Sequence, residues 1–319
     1  MKLIIQIPCL NESESLPITL GDLPRSMPGV DTIEWLIVDD GSTDDTVEVA
    51  KQHGVDHIVS LGHNQGLAVA FMAGVQHALA QGADIVVNTD ADNQYCGDDI
   101  ALLVAPILQG EADIVVGERP IMSTQHFSPI KKYLQKLGSW VVRLASGTDI
   151  PDAPSGFRAM SRGAARRLNV FSGYTYTLET IIQAGQRNMR ITSVPIRTNG
   201  ELRPSRLFTG IPQYIKKSVF TILRVFVIYK PFLFFMSIGL GLFGAGAILA
   251  FRYLYFLLAG DSGGHVQSLI LASILIGIGF QTMLIAFVAD LLSVNRRLLE
   301  EVKISFLTNQ DLERAKDDN

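Results

Sequence analysis

The chain has little cysteine, little tryptophan and little charge. Its 319 residues include two cysteines and two tryptophans, and charged side chains make up only 18%. Cys9 and Cys96 are too few for a disulfide framework and cannot build a zinc site by themselves. Among the histidines, His63, His77, His126 and His265 show no ligand spacing and read as solvated or capping residues. So low a charge fraction beside 48% hydrophobic residues excludes an intrinsically disordered chain. A mean hydropathy of +0.26 is too apolar for an ordinary cytosolic enzyme and directs attention to membrane segments. A signal peptide is not expected, because the apolar run Leu3 to Ile7 is shorter than an h-region. That run reads instead as a buried strand ended by Pro8.

What charge there is lies unevenly. Residues 1–118 hold 19 acids and 3 bases, residues 119–230 hold 4 acids and 18 bases, and residues 231–319 hold 8 acids and 6 bases. Carboxylates suit a metal or sugar hydroxyls, and bases suit phosphates or an anionic membrane surface. The overall net charge of −4 makes nucleic acid an unlikely partner.

A βα rhythm runs through the first half. Strands are predicted at Glu34–Val38, Asp56–Leu61, Asp84–Asn88 and Asp113–Gly117, with helices at Thr46–His53, Leu67–Gln81 and Asp98–Gln109. Ser42 and Thr43 are expected to cap the first helix, and Gly54 and Gly82 to stop helices. This alternation implies a doubly wound, mostly parallel sheet, with ligands at the carboxyl ends of its strands. Phe208–Tyr229 mixes apolar residues with Lys216, Lys217 and Arg224, a pattern of amphipathic helices lying on a membrane. Phe232–Phe251 and Val266–Ala289 are uncharged runs of bilayer-crossing length, joined by the polar turn Gly260–His265. Bases flank both outer ends of this hairpin, namely Lys216, Lys217, Arg224 and Lys230 on one side and Arg296, Arg297 and Lys303 on the other, while Arg252 at the far end of the first span can snorkel. The catalytic part and the tail are therefore expected on the cytoplasmic face of a plasma membrane. The expected divisions are residues 1–206, 207–230, 231–292 and 293–319, the last ending in a frayed polar tail from Asp311. Ser237, Gly241 and Ala245 form a small-residue stripe suited to close helix packing, and the spanning helices offer a route to a homo-oligomer. Asp290 fits simple interfacial placement.

Three strand-end segments carry chemistry. Asn88–Gln94, reading Asn-Thr-Asp-Ala-Asp-Asn-Gln, places Asp90 and Asp92 two positions apart after a strand. Hard divalent cations take one or two such carboxylates and complete their shell with phosphate and water. Val38–Thr46 adds Asp39 and Asp40 at another strand end, beyond what an ordinary helix cap requires. The third is Pro8-Cys9-Leu10-Asn11-Glu12.

Together with His63–Gly66, these segments resemble the family-2 glycosyltransferases with the GT-A fold. The resemblance implies that Pro8, Leu10, Asn11, Glu12, Asp39, Asp40, Asn64, Asp90, Ala91 and Asp92 surround a nucleotide-sugar donor. It also implies Mg²⁺ or Mn²⁺ held by Asp92 and Gln94, with Asp90 next. A capping turn would explain Asn64 and Gly66 nearly as well. Val116–Arg119, Pro151–Arg158 and Arg203–Leu207 are similar to segments of the polyprenyl-phosphate glycosyltransferases. That similarity implies that Arg119, Ser155 and Arg158 receive an acceptor phosphate, with Asp92, Arg119 and Arg158 as the catalytic residues. Arg203 and Arg206 would then lie near the donor diphosphate and the membrane. Arg206 stands where many relatives carry Lys, and Asp92-Asn93-Gln94 where many read Asp-Leu-Gln. The donor, a UDP-sugar or GDP-mannose, stays open. Two alternatives stand beside this reading. A processive polysaccharide synthase would carry a Gln-x-x-Arg-Trp motif, which neither Trp35 nor Trp140 ends. A sugar-nucleotide-binding membrane scaffold would not need the Asp90–Gln94 set intact.

Overall fold

A computed structural model describes residues 1–120, 129–170, 176–200, 216, 219–220, 223–224, 227–259 and 266–317. It divides into two units, Met1–Val219 and Phe220–Asn319. Arg203, Arg206, most of the expected juxtamembrane helices and the turn Gly260–His265 lie outside the described residues.

The first unit is organised by seven strands, β1 (Lys2–Cys9), β2 (Thr32–Asp39), β3 (His57–Ser60), β4 (Ile85–Asn88), β5 (Ile114–Glu118), β6 (Arg158–Ser161) and β7 (Ile191–Pro195). They lie in the order β3-β2-β1-β4-β6-β5-β7, with only β6 antiparallel to its neighbours. Among the described residues seven helices accompany them: α1 (Leu16–Asp22), α2 (Thr46–Gln52), α3 (Leu67–Ala80), α4 (Ile100–Leu108), α5 (Pro129–Ser146), α6 (Arg162–Arg167) and α7 (Thr177–Gln186). Successive strand residues point to opposite faces, so consecutive buried residues mean that both faces are covered. Leu3, Ile4 and Ile5 of β1, Leu36, Ile37 and Val38 of β2, and Val86 and Val87 of β4 have no exposure at all. Each such side chain contributes about 1.5–3 kcal/mol on burial. Because β1 pairs with β2 on one side and β4 on the other, the winding reverses at β1. A crevice opens at the carboxyl ends of those three strands.

The predicted strands and helices fall within a residue or two of those observed, with differences that have local causes. Pro8 does not end β1. Pairing with β4 stops at Gln6–Asn88, so on that side Pro8 has no ladder bond to donate, while β2 pairs on through Cys9. Ser42 and Thr43 do not cap α2; both bond to Asn11 instead. Asp44 closes the start of α2 by accepting from the Thr46 N–H (3.1 Å) and the Thr46 hydroxyl, while its other oxygen accepts from the Ser13 N–H at 3.1 Å. The predicted start at Asp98 is a 3₁₀ turn, Gly97–Asp99, ahead of α4.

The second unit contains α8 (Pro231–Leu258) and α9 (Val266–Asp317). Pro231–Leu258 and Val266–Arg296 have mean hydropathies of 2.1 and 2.2 and are long and apolar enough to cross a membrane. Their contact is made at glycines, though not at the expected stripe. A Cβ on Gly239 would lie 2.9 Å from the Gly279 carbonyl, and one on Gly246 would lie 3.0 Å from the Ala272 carbonyl. Ser237, Gly241 and Ala245 are exposed on another face of α8. The stripe shares small residues with the true contact but lies two positions off its row, which turns it about 200° around the helix. Asp290 is exposed, and α9 continues as helix through Asp311 to Asp317 rather than fraying there.

Candidate active site

The loops after β1 and β2 are stitched together by polar side chains. Asn11, in a left-handed conformation (φ 57°), donates its N–H to Ser42 Oγ at 2.9 Å and accepts the Thr43 N–H on Oδ1 at 2.7 Å. The Glu12 N–H donates to Thr46 Oγ1 at 2.8 Å, and Ser15 Oγ donates to the Glu12 carboxylate at 2.6 Å. Asp39, at the end of β2, is buried and accepts from the Ser42 N–H (2.9 Å) and the Ser60 hydroxyl (3.1 Å). Asp40 is buried too, and its two oxygens accept from the N–H groups of Gln65 (2.7 Å) and Gly66 (3.0 Å). Its carboxylate therefore holds the Gln65–Gly66 turn against the end of β2. Asn64 is exposed above that turn. Gly41 between them has φ 80°, and a Cβ there would meet the His63 backbone at 2.6 Å, so no side chain fits.

The turn after β4 is fastened from three directions. The Ala91 carbonyl accepts from Thr19 Oγ1 of α1 at 2.9 Å. Asn93, with φ 54°, donates to Asp22 at 2.8 Å. Asn199 donates its N–H to the Gln94 carbonyl (2.9 Å) and its amide to the carbonyls of Asn93 (3.1 Å) and Tyr95 (3.3 Å). Asp92 and Gln94 are half-buried, and the Gln94 N–H donates to Asp92 Oδ1 at 3.2 Å. Asp90 keeps some exposure, yet desolvation and then the neighbouring Asp92 charge push its pKa up to about 7; Arg119, Arg158 and a hydrogen bond from Tyr95 oppose this. A carboxylate crowded by a second one two positions on, with Gln94 following, fits a hard divalent cation whose charge would relieve the repulsion on Asp90. Among the described residues no three or more His, Cys, Asp or Glu are grouped so as to hold a metal, here or elsewhere, so a cation at this turn would rest on Asp90, Asp92 and Gln94 and draw its remaining ligands from substrate and water.

The acceptor-like segment meets this turn at Gly156. A Cβ there would lie 3.0 Å from both Asp90 carboxylate oxygens and from the Tyr176 hydroxyl. The Gly156 N–H donates to the Tyr95 hydroxyl at 3.1 Å, and its carbonyl accepts from Asn88 Nδ2 at 2.9 Å. Tyr95 stacks on Phe157 with ring centroids 4.8 Å apart. Arg119 forks onto Asp152, with Nε at 2.7 Å and Nη2 at 2.9 Å. The carboxylate is 1% exposed and the Arg119 side chain 14%, so the pair sits at the lip of the interior. Arg158 has no exposure: its guanidinium donates to the Ser155 carbonyl, the Thr180 hydroxyl and the Thr177 carbonyl (3.1 Å), 5.3 Å from the Tyr176 ring. Ser155 is equally buried, and its Oγ has no hydrogen-bond partner. The expected phosphate clamp thus splits into one reachable arginine and one interior arginine.

The described candidates from the β1, β2 and β4 ends therefore surround one crevice, and Ser155–Arg158 joins them through Gly156. The contributions of Tyr95, Asn88, Tyr176 and Asn199 are not evident from the sequence. Tyr95 directly follows Gln94 and Asn88 opens the Asp-x-Asp run, and those positions are the only signal for either.

The profile of "Glycosyl transferase family 2" matches residues 4–168, just over half of the chain. The undecaprenyl-phosphate mannosyltransferase of Micrococcus luteus is 29% identical over 222 residues, covering 66% of this chain and 89% of that protein. The UDP-N-acetylglucosamine–dolichyl-phosphate N-acetylglucosaminyltransferase of Methanococcus voltae is 31% identical over 214 residues, covering 60% of this chain and 83% of that protein. Among solved structures, glucosyl-3-phosphoglycerate synthase of Mycobacterium tuberculosis, in complex with Mn²⁺, UDP and glucosyl-3-phosphoglycerate, has a TM-score of 0.55 at 20% identity, covering 71% of this chain and 78% of that one. That likeness establishes the fold, a GT-A-like mixed sheet. From the matched residues, the fold and the strand-end acidic turns, the chain belongs to glycosyl transferase family 2.

Proposed function

We propose that the protein transfers a sugar from a nucleotide-sugar, with a UDP-sugar favoured over GDP-mannose, to a polyprenyl phosphate at a membrane surface, with inversion at the anomeric carbon. The observation that carries this reading is the meeting at Gly156 of the acidic β4 turn with the segment bearing Ser155 and Arg158. The two relatives whose names include undecaprenyl phosphate and dolichyl phosphate support the acceptor class, and the second relative's UDP-sugar supports the donor. Two helices of membrane-crossing length support a lipid acceptor, and their basic flanks support a catalytic unit on the cytoplasmic side of the plasma membrane.

The acceptor is a phosphate monoester whose second pKa is near ~6, so it is ionised at neutral pH and needs no strong base. A phosphate oxygen forms the new bond to the anomeric carbon, while the bond from that carbon to the donor diphosphate breaks. Asp90, Asp92 and Gln94 would hold Mg²⁺ or Mn²⁺, which when bound supplies charge neutralisation for the diphosphate. Asp39 holds the Ser42 end of the β2 loop, and with Leu10, Asn11 and Glu12 it forms the donor's bed. Arg119 keeps Nη1 unclaimed by Asp152 and orients the attacking phosphate. Arg158 acts from behind, fixing Ser155 and contributing positive charge toward Asp90. Arg203 and Arg206 are assigned to the donor diphosphate by the family likeness alone. The test is a donor screen against undecaprenyl and dolichyl phosphate, with the lipid product identified by mass spectrometry. A lipid-phosphate monosaccharide supports the reading; hydrolysis of the donor alone, or a polymer, contradicts it.

A further inference from the structure

Helix α5 presents two apolar faces where one would suffice. Its inner face buries Ser139, Val141, Val142, Ala145 and Ser146 and packs against α7. Its outer face carries Tyr133 (67% exposed), Trp140 (50%) and Leu144 (44%), with Leu137 half-buried between them. The spacing of four, three and four residues puts these on one row of the helix. Lys136 and Arg143 stand beside them, and the five residues Tyr133, Lys136, Leu137, Trp140 and Arg143 line a shallow groove. A solvent-facing row is ordinarily polar; large aromatic and aliphatic groups bordered by cations mark an interfacial helix.

We propose that this face of α5 is a second membrane contact, seating Tyr133, Trp140 and Leu144 at the acyl boundary and Lys136 and Arg143 against anionic head groups. Charge selects this occupant. The sequence of α5 contains four Lys or Arg and no Asp or Glu. Pairing with a second copy of the same face would set Lys136 against like cations, with no acid on either helix to relieve it, while Arg143 donates to the exposed Asp149 just beyond the helix at 3.0 Å. An anionic bilayer instead attracts each cation near its surface while the aromatics find their amphipathic depth. The proposal does not depend on sugar transfer, because it concerns the surface of the first unit alone.

The two tryptophans make the test direct. Trp35 is buried, so the emission difference between the parent and Trp140→Phe isolates the Trp140 signal. The full chain is reconstituted in phosphatidylcholine vesicles containing phosphatidylglycerol, with brominated acyl chains as the quencher. Bromination should remove most of the Trp140 emission, aqueous iodide should remove little, and Lys136→Glu or vesicles without phosphatidylglycerol should weaken the bromine effect. Iodide quenching without bromine quenching would place Trp140 in water and overturn the proposal. Shielding from both quenchers would assign the face to a protein partner and overturn it equally.

Discussion

Gly156 is the residue on which the proposed donor and acceptor sides meet, and its lack of a side chain is a packing requirement. A methyl group 3.0 Å from the Asp90 carboxylate and the Tyr176 hydroxyl is tighter than ordinary contact, so Gly156→Ala must displace one of them. Either shift disturbs the acidic turn, because Asp90 belongs to it and the Tyr176 hydroxyl accepts from Asn88 at its base, 2.9 Å away. Transfer should fall at least about tenfold, equivalent to roughly 1.4 kcal/mol in the barrier, while circular dichroism and thermal unfolding change little. Arg119 makes a different prediction, because it has two tasks. Removing it leaves Asp152 charged, buried and without its fork, which costs about 3–5 kcal/mol of stability. Arg119→Ala should therefore lower the unfolding midpoint, and Arg119→Ala with Asp152→Asn should restore most of it. Neither variant should regain use of the lipid phosphate, and both should bind donor like the parent in calorimetry. Recovery of acceptor kinetics in the double variant would make Arg119 purely structural.

At the scale of the element, the site depends on short polar turns rather than on regular structure. Asp44 shows this most plainly. Burial alone would raise its pKa, but hydrogen bonds from Thr46 and Ser13 outweigh that and lower it to about 2. A depressed carboxylate contributes stability that is fully present above about pH 4 and is lost as pH falls toward 2. Asp44→Ala should cost about 1 kcal/mol at pH 7 and clearly less at pH 2, where about half of the carboxylates are protonated in the folded chain, read from denaturant midpoints at the two values. Such turns explain what the sequence could and could not disclose. The apolar runs of β1, β2 and β4 and the acids just past them are local signals, and they locate the crevice. β6 reads Arg-Ala-Met-Ser, with neither alternation nor an apolar run, and it exists because β4 and β5 flank it over long range. Likewise, whether Arg119 or Arg158 points outward depends on Asp152 and on the α7 groups Thr177 and Thr180, which no spacing reveals. In α8 a small-residue stripe was legible, yet Gly239 and Gly246 make the contact, because the facing positions on α9 decide which row is used.

For the whole molecule, charge segregation along the chain becomes a division of labour. In the proposed reading the acidic first third forms the donor side and the basic middle third meets phosphate and lipid, ahead of two apolar helices. Bases flank both outer ends of the hairpin, so a reporter fused after Asn319 should behave as cytoplasmic and one inserted at Gly263 as external. The reversed pattern would refute the orientation. The claim that joins site to function is that the β4 turn holds a cation that makes transfer to lipid phosphate possible. Its most direct test is the rate of lipid-phosphate glycosylation by the parent and by Asp92→Asn, each with excess Mg²⁺ or Mn²⁺ and again with EDTA. Asp92→Asn and EDTA should each reduce transfer at least about a hundredfold, without loss of fold and without an additive effect in combination. Full transfer by the parent in chelator, or by Asp92→Asn in metal, would contradict the account.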